Sequence, residues 1–497
     1  MNLLERAIAA VDPIYAVQRA QARLRINVLN KAYEAATPGR LRKGVRDEGS
    51  GTQAAQQGHI PLRDLARHLD RNNDVVHHAF NIIEYNVVGT GIGVQPQPRM
   101  PNGEVILELA AQLEDLWLDF CERPDVTGLH DYSSAQRMQC RSLFRDGEVL
   151  TQHITGTVPG LDHGSVVPYS IELLESELLA FDVNDPAKRI INGVQFNAWN
   201  RPTAYHIYKE HPSETHRFTQ NIKVVPAQFI SHAKIVDRIN QVRGVSVAAS
   251  VLARLQDIKD YEESERIAAK IAAALTGVIK RGDTHDYMDN DPAKIEASKD
   301  RTMQFGPGMF IDDLLPGESI EILDSKRPNT GLDAFINGQL RRASGGLGVS
   351  YSSLSKNYDG TYSSQRQEMV EQHSSYSVKQ RVMITQEVRP TYRKFVQASL
   401  LCGAVKLPKG MEPRHLAAAM FIPPQMPWID PLKEALGYEL LERRGWIAGD
   451  EVIRRRGGNP EEVLNQTRSW RERREAAGLP DPDAKPAAVT IKDKDED

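Results

Sequence analysis

Apolar positions recur at helical spacing along most of the chain. Leu4, Ile8, Val11, Ile14 and Val17 predict one or two amphipathic helices near the start, broken at Pro13. From Ile60 a helix is expected, with Pro61 at its first position and Leu62, Leu65 and Leu69 on one face. The pattern continues through RNNDVVHHAFNIIEYNVV to Gly89-Thr90-Gly91, which suits a C-cap and turn. Leu109, Leu113, Leu116 and Phe120 predict a helix over 104–123, and SAQRMQCRSLFRD another that runs into Asp146-Gly147. Between about 148 and 235 the period shortens. EVLTQHI, SIELL and TAYHIYK read as strands, punctuated by Gly, Pro, Asn and Asp.

Residues 246–279 carry the longest helical pattern. Val247, Val251, Leu255, Ile258, Tyr261, Ala268, Ile271, Leu275 and Val278 form a narrow stripe, opposite Asp257, Asp260, Glu262, Glu263 and Glu265. Ser246 is the expected N-cap, and Lys280 and Arg281 complement the C-terminal dipole. At 1.5 Å per residue such a helix is about 50 Å long. That length suits a subunit packed beside copies of itself. Next come an acidic turn-rich run, GDTHDYMDNDP, and short strands in FGPGMFIDDLLPGESIEIL. A second helical run, GLDAFINGQLRRASGGL, leads into GLGVSYSSLSKNYDGTYSSQRQ. That stretch is rich in serine, tyrosine and glycine, has Asp359 as its only carboxylate, and lies before a long helix that Pro390 should interrupt. PLKEALGYELLERRGW and NPEEVLNQTRSWRERREAA predict two further helices. The tail, LPDPDAKPAAVTIKDKDED, has the composition of a disordered segment. The fold class is α+β, mainly helical.

Charge narrows the function. Among 497 residues, 62 basic and 66 acidic side chains give a net charge of −4, which argues against a protein that wraps nucleic acid by neutralising phosphates. Cys121, Cys140 and Cys402 show no C-x-x-C spacing, so neither a disulfide framework nor a zinc site is expected. No apolar run is long enough to predict a membrane span. Arg40, Arg42, Lys43 and Arg46 mark a glycine-rich linker, either a solvated loop or an arm that meets a partner.

Candidate chemistry is thin. His206, His211 and His216 are five apart, a spacing that places them on neither one helix face nor one strand face. His77 and His78 are adjacent and point apart. Asp283, Asp286, Asp289 and Asp291 lack the glycine and glutamate of a calcium loop and read as a solvated acidic loop or one that meets a basic partner. Asp312, Asp313 and Glu318 would be the acids of a metal-dependent nuclease, but no motif fixes their geometry. No phosphate-binding G-x-x-x-x-G-K-[ST] loop and no G-x-S-x-G elbow occur. No catalytic constellation, cofactor or metal is expected.

The order of elements resembles the lambda-type phage portal protein family. The residues that carry the resemblance are RDLARHLDRNNDVVHHAFNIIEYNVVGTGI, QVRGVSVAASVLARLQDIKDYEESERIAAKIAA, LLPGESIEIL, KRPNTGLDAFINGQLRRASGGLGVSYSSLSKNYDGTYSSQR and WIDPLKEALGYELLERRGWIAGDEVIRRRGGNPEEVLNQ. They span roughly residues 60 to 470.

The resemblance implies a portal fold of wing, stem, clip and crown, assembled as a dodecameric ring with a central channel in the virion. The implied division is 1–245 arm and wing, 246–279 first stem helix, 280–329 clip, 330–346 second stem helix, 347–366 tunnel loop, 367–424 wing return helix and connector, 425–475 crown, and 476–497 disordered tail. Double-stranded DNA would pass through the channel, contacted by Ser352, Ser353, Ser355, Lys356, Asn357, Tyr358 and Tyr362. The terminase large subunit and later head–tail adaptor proteins would dock on the clip through Asp283, Asp286, Asp289, Asp291, Asp312 and Asp313. The major capsid protein and scaffold would surround the ring, which is assembled in the host cytoplasm without a membrane. The resemblance implies no catalysis. Competing readings are a metal-dependent DNA-processing enzyme and another head–tail assembly protein. Hydroxyls, amides and one lysine suit a surface beside moving DNA, because fixed phosphate contacts would grip it.

Overall fold

Helix α1 (Gly51–Asn72) begins earlier than the expected start at Ile60, so Pro61 lies inside it. The alanines and glutamines of TQAAQQ favour helix, and Ser50 caps the first turn through its Oγ, 3.1 Å from the Gln53 N–H. The structure is a computed structural model that describes residues 49–213, 221–274, 278–281, 318–321, 331–426 and 430–479. Two compact units divide the chain, Met1–Ala54 and Ala55–Asp497, and only residues 49–54 of the first are described. The expected N-terminal helices and the basic part of the linker, 39–48, lie outside the described residues, while its end, 51–58, is the start of α1.

The single helix expected after Ile60 is two. Asn73 ends α1 and caps α2 (Asp74–Val87) by accepting from the Val76 N–H. Strand β1 (Gly93–Pro96), α3 (Leu107–Glu122) and α4 (Tyr132–Asp146) follow. α4 closes at Gly147, φ 95°. The β-rich lobe then comprises β2 (Glu148–Thr155), β3 (Tyr169–Leu174), β4 (Ile190–Ile191), β5 (Val194–Phe196), β6 (Pro202–Tyr208), β7 (Ile222–Pro226) and β8 (Ile230–Lys234). These strands make two antiparallel sheets, in the orders β3-β2-β8 and β4-β5-β6-β7.

The first long helix is shorter than its pattern. α5 spans Leu252–Ala274, and Ser246 does not cap it, since its Oγ accepts from Ala248 N–H at 3.2 Å among the turns that precede the helix. Beyond it, Val278 and Ile279 lie in β9 (Val278–Arg281), paired antiparallel with β10 (Glu318–Glu321), where β-branched residues favour the strand. α6 (Leu332–Leu347) returns beside α5, and Tyr261 meets Phe335 edge-on at 5.2 Å.

The hydroxyl-rich run is not one uninterrupted loop. It contains α7 (Tyr351–Ser355), and α8 (Tyr362–Met383) begins inside it. Ahead of Pro390 the helix widens into a π-turn, Ile384–Val388, before α9 (Arg389–Leu401). Proline cannot donate to the Gln386 carbonyl, so the regular ladder has to break there. The remaining elements are α10 (Pro413–Leu416), β11 (Ala419–Ile422) paired with β1, α11 (Pro431–Arg443), α12 (Gly449–Arg455) and α13 (Pro460–Ala476).

Three buried clusters hold the second unit. One joins α1, α2, α4, the start of α5, α6 and α8 through Leu69, Phe80, Phe144, Leu255, Leu347 and Met383. A second is aromatic, with Trp117 lying 5.1 Å from both Phe120 and Phe395. The third lies within the β-lobe around Leu150, Tyr205 and Ile207. No helix among the described residues is long and apolar enough to cross a membrane.

Candidate functional site

Ser350, just before α7, starts the site. Its Oγ accepts from the Ser353 N–H and donates to Glu368 Oε1 at 2.7 Å. Glu368 also accepts from the Ser352 N–H at 3.0 Å and the Ser352 Oγ at 2.8 Å. Burial alone would raise the Glu368 carboxyl; these donors outweigh it and hold the carboxyl below its ordinary value. The same face of α8 carries Gln372, Ser375 and Lys379, all three of which donate to the Gly348 carbonyl. Burial pushes the Lys379 ammonium down to about 8. Gly348 has φ 63°, and a Cβ there would lie 2.8 Å from both Lys379 Nζ and Ser375 Oγ, so a side chain at this joint would be strained and would displace those donors.

From the other side, His78 Nε2–H donates to the Ser353 carbonyl at 2.9 Å. Leu354 is buried in the first cluster, and the Arg341 guanidinium lies 4.8 Å from the Tyr351 ring centre. α7 is therefore fixed. Exposure begins at Lys356, which takes φ 55°, and runs to α8's first turn. Tyr358 and Tyr362 are 55% and 56% exposed there.

This placement sorts the residues expected to face DNA. Lys356, Tyr358 and Tyr362 lie together on the exposed tip, while Ser353, Ser355 and Asn357 are half-buried beside it. Ser352, expected with them, is 8% exposed, and its hydroxyl donates to Glu368. Asp283, Asp286, Asp289, Asp291, Asp312 and Asp313 lie outside the described residues, as do the end of the tail from 480 and His216.

A second constellation holds the base of α5. Arg243 is fully buried and donates through Nε to Glu148 Oε1 at 2.7 Å and through Nη2 to the Ser176 carbonyl at 2.9 Å. Glu148 Oε2 accepts from the Gly244 N–H at 2.8 Å and from His232 Nε2 at 3.1 Å. Burial opposes the Glu148 charge; Arg243 and the His232 hydrogen bond override it and hold the carboxyl well below its ordinary value. His59 donates from Nδ1 to the Gly244 carbonyl at 2.7 Å, and burial lowers its pKa, as it lowers that of His232. Gly244 packs so tightly on Gly147 that a Cβ would lie 2.0 Å from the Gly147 oxygen. The Arg-Gly-Val-Ser stretch thus ties the long helix to the first strand of the lobe.

Among the described residues, His206 and His211 share no ligand cluster. His206 is on β6, with burial lowering its pKa. His211 comes within 4.8 Å of Glu175 and Glu177. Arg67 already pairs with both of those carboxylates, so an ion there would compete with a guanidinium.

Sequence reasoning missed Glu368, Gln372, Ser375, Lys379, Glu148 and Arg243, and weighed His78 only as a metal ligand. The first four recur at intervals of four, three and four, a polar helix stripe that was visible in principle. The partners of Glu148 and Arg243 are remote in the chain and left no local signal.

The described residues form a mixed, mainly helical chain in which the helices α5 and α6 pair and a polar tip is held from α8 and α2. Its family follows from residues 37–380, which match the model of the phage portal protein, lambda family. The chain belongs to that family, which is one of structural proteins rather than enzymes. It is 25% identical over 460 residues to the probable portal protein of Halomonas phage phiHAP-1, covering 88% of this chain and 85% of that one. It is 24% identical over 273 residues to portal protein B of Escherichia phage lambda, covering 49% of this chain and 50% of that one. Among solved structures, a chain from the neck of the empty gene transfer agent particle matches with a TM-score of 0.42 and 14% identity, covering 84% of this chain and 94% of that chain. The protein is thus a phage portal protein.

Proposed function

We propose that the protein closes into a ring of about twelve subunits and that the exposed tip, Lys356 to Tyr362, lines the narrowest part of its channel. Double-stranded DNA passes there during packaging and ejection. The observation that carries the ring is apolar surface left open on otherwise polar helices. Leu432, Leu436 and Leu440 form a stripe on α11, and Ile267 on α5 and Phe335 on α6 are each 49% exposed. Such stripes suit a heterologous contact repeated around a closed ring. In this reading α5 and α6 form the stem, β9 and β10 the start and end of the clip, and α11 to α13 the crown.

The tip suits sliding contact. Its tyrosines and amide make transient hydrogen bonds, and one lysine per subunit gives modest attraction. The clasp on α8 keeps the tip at fixed height while its glycine and αL turn allow local adjustment. The clip acids Asp283, Asp286, Asp289, Asp291, Asp312 and Asp313 would meet a basic face of the terminase large subunit and later the head–tail adaptors. The capsid protein and scaffold would hold the ring's outside.

Native mass spectrometry and negative-stain images of the purified full chain test the reading. A closed ring of about twelve copies with a central hole is expected. A stable monomer or dimer would reject it.

A further inference from the structure

Arg389 and Arg393 lie one turn apart on α9. With Gln97 and Arg99, which follow β1, they line an open groove of about 350 Å³ whose opposite side is formed by residues 417–421. None of the described residues that line it is acidic. The Arg389 guanidinium lies 5.4 Å from the centre of the Phe421 ring, and Arg99 donates to Gln97 Oε1 at 2.7 Å, so both forks are held in place. Burial, then the positive charges of Arg381 and Arg393, push the proton affinity of Arg389 down.

Other arginines of the molecule are neutralised. Its acids outnumber its bases, and Arg63, Arg67, Arg141, Arg145 and Arg243 all meet carboxylates. Guanidinium groups gathered around a groove without a counter-charge repel one another, and an entering anion removes that cost.

We propose that this groove binds the phosphodiester backbone of double-stranded DNA. The proposal rests on the DNA-conduit reading and adds a gripping contact to the sliding one at the tip. Phosphate suits the groove better than a single carboxylate does. Residues four apart on a helix are separated by about 6 Å along its axis. A strand carries a phosphate about every 3.4 Å of duplex axis, so Arg389 and Arg393 can each meet one. Guanidinium forks match phosphate oxygens in paired hydrogen bonds.

The test is fluorescence anisotropy of a short labelled duplex against the full-length protein over a series of salt concentrations. Wild type is compared with Arg99→Gln/Arg389→Gln/Arg393→Gln and with a control, Arg71→Gln/Arg201→Gln/Arg468→Gln, that removes equal charge elsewhere on the surface. The groove variant should lower the slope of log K against log salt by about 2 to 3 relative to wild type, and the control by much less. Arg393→Gln alone, at an exposed position, should lower it by about 1 with folding intact. Equal slopes for the two triple variants, or no duplex binding by wild type, would overturn the proposal. So would loss of ring closure with an unchanged slope, because the groove would then receive an acidic surface of a neighbouring copy. Wild type that binds duplex through these arginines yet forms no ring would support the groove and count against the conduit.

Discussion

Glu148→Gln should be among the most damaging single substitutions in the chain. Glu148 and Arg243 are completely buried, with 0% and 1% of their side chains exposed. The carboxylate uses one oxygen for Arg243 and the other for the Gly244 N–H and His232. A glutamine amide offers one acceptor oxygen and turns its NH₂ on the remaining donors. Hydrogen bonds to a charged group contribute about 1.5–3 kcal/mol each, and removing one partner of a buried ion pair costs about 3–5 kcal/mol. A loss of about 4 kcal/mol is expected, measured at pH 7 by urea unfolding of the full chain with tryptophan fluorescence. Glu148→Gln combined with Arg243→Met should recover most of that loss, because the stranded charge disappears with its partner. A single-variant loss below about 1 kcal/mol, or a double variant no better than the single, would refute the reasoning. The pH dependence has the same origin. Glu148 is depressed in the folded state, so its contribution is present above the unfolded value near 4.5 and lost as pH falls through the folded one. His59 and His232 are depressed too, so stability falls as pH drops below about 6.5. The carboxylate part of this acid limb should vanish in Glu148→Gln.

Glu387 should behave in the opposite sense. Burial raises its carboxyl to about 8, so wild type loses stability as pH rises from about 4.5 towards 8, and Glu387→Gln should be near neutral below about pH 4.5 and increasingly stabilising relative to wild type from there to pH 8, as thermal unfolding across pH will show. Lys379 is depressed to about 8, so stability should rise between pH 8 and about 10.5, and Lys379→Met should flatten that rise in the same scans. Gly244→Ala forces a Cβ to 2.0 Å from a backbone oxygen and should cost about 3 kcal/mol or more, whereas Gly338→Ala, with nothing within 4 Å, should be neutral or slightly stabilising in urea unfolding. Tyr358→Ala with Tyr362→Ala should change stability by less than about 0.5 kcal/mol and leave ring closure intact while altering DNA packaging in vivo; a ring that fails to form would show that the tip serves assembly instead.

Periodicity alone placed most helices and the β-lobe, because each needs one apolar face and that face repeats at 3.6 or 2 residues. The sequence also exposed the absence of a catalytic motif and carried enough ordered motifs to point to the portal family. Boundaries were less legible. Val278 continues the stripe of α5 in sequence, yet cross-strand pairing with Glu321 takes it into a sheet. Serine positions in the hydroxyl-rich run looked equivalent, but Ser352 faces Glu368 while Tyr358 faces solvent. Local composition cannot separate them, since the deciding carboxylate lies on the next helix. Arg243 stood only within the motif that carries the family resemblance, with no partner visible. Only tertiary structure brings it to Glu148, across 95 residues of chain, and turns it into a buried anchor. Local sequence sets which residues can form helix or strand and which faces must be covered; the folded chain decides which polar groups meet, because a buried charge persists only where distant segments supply its partner.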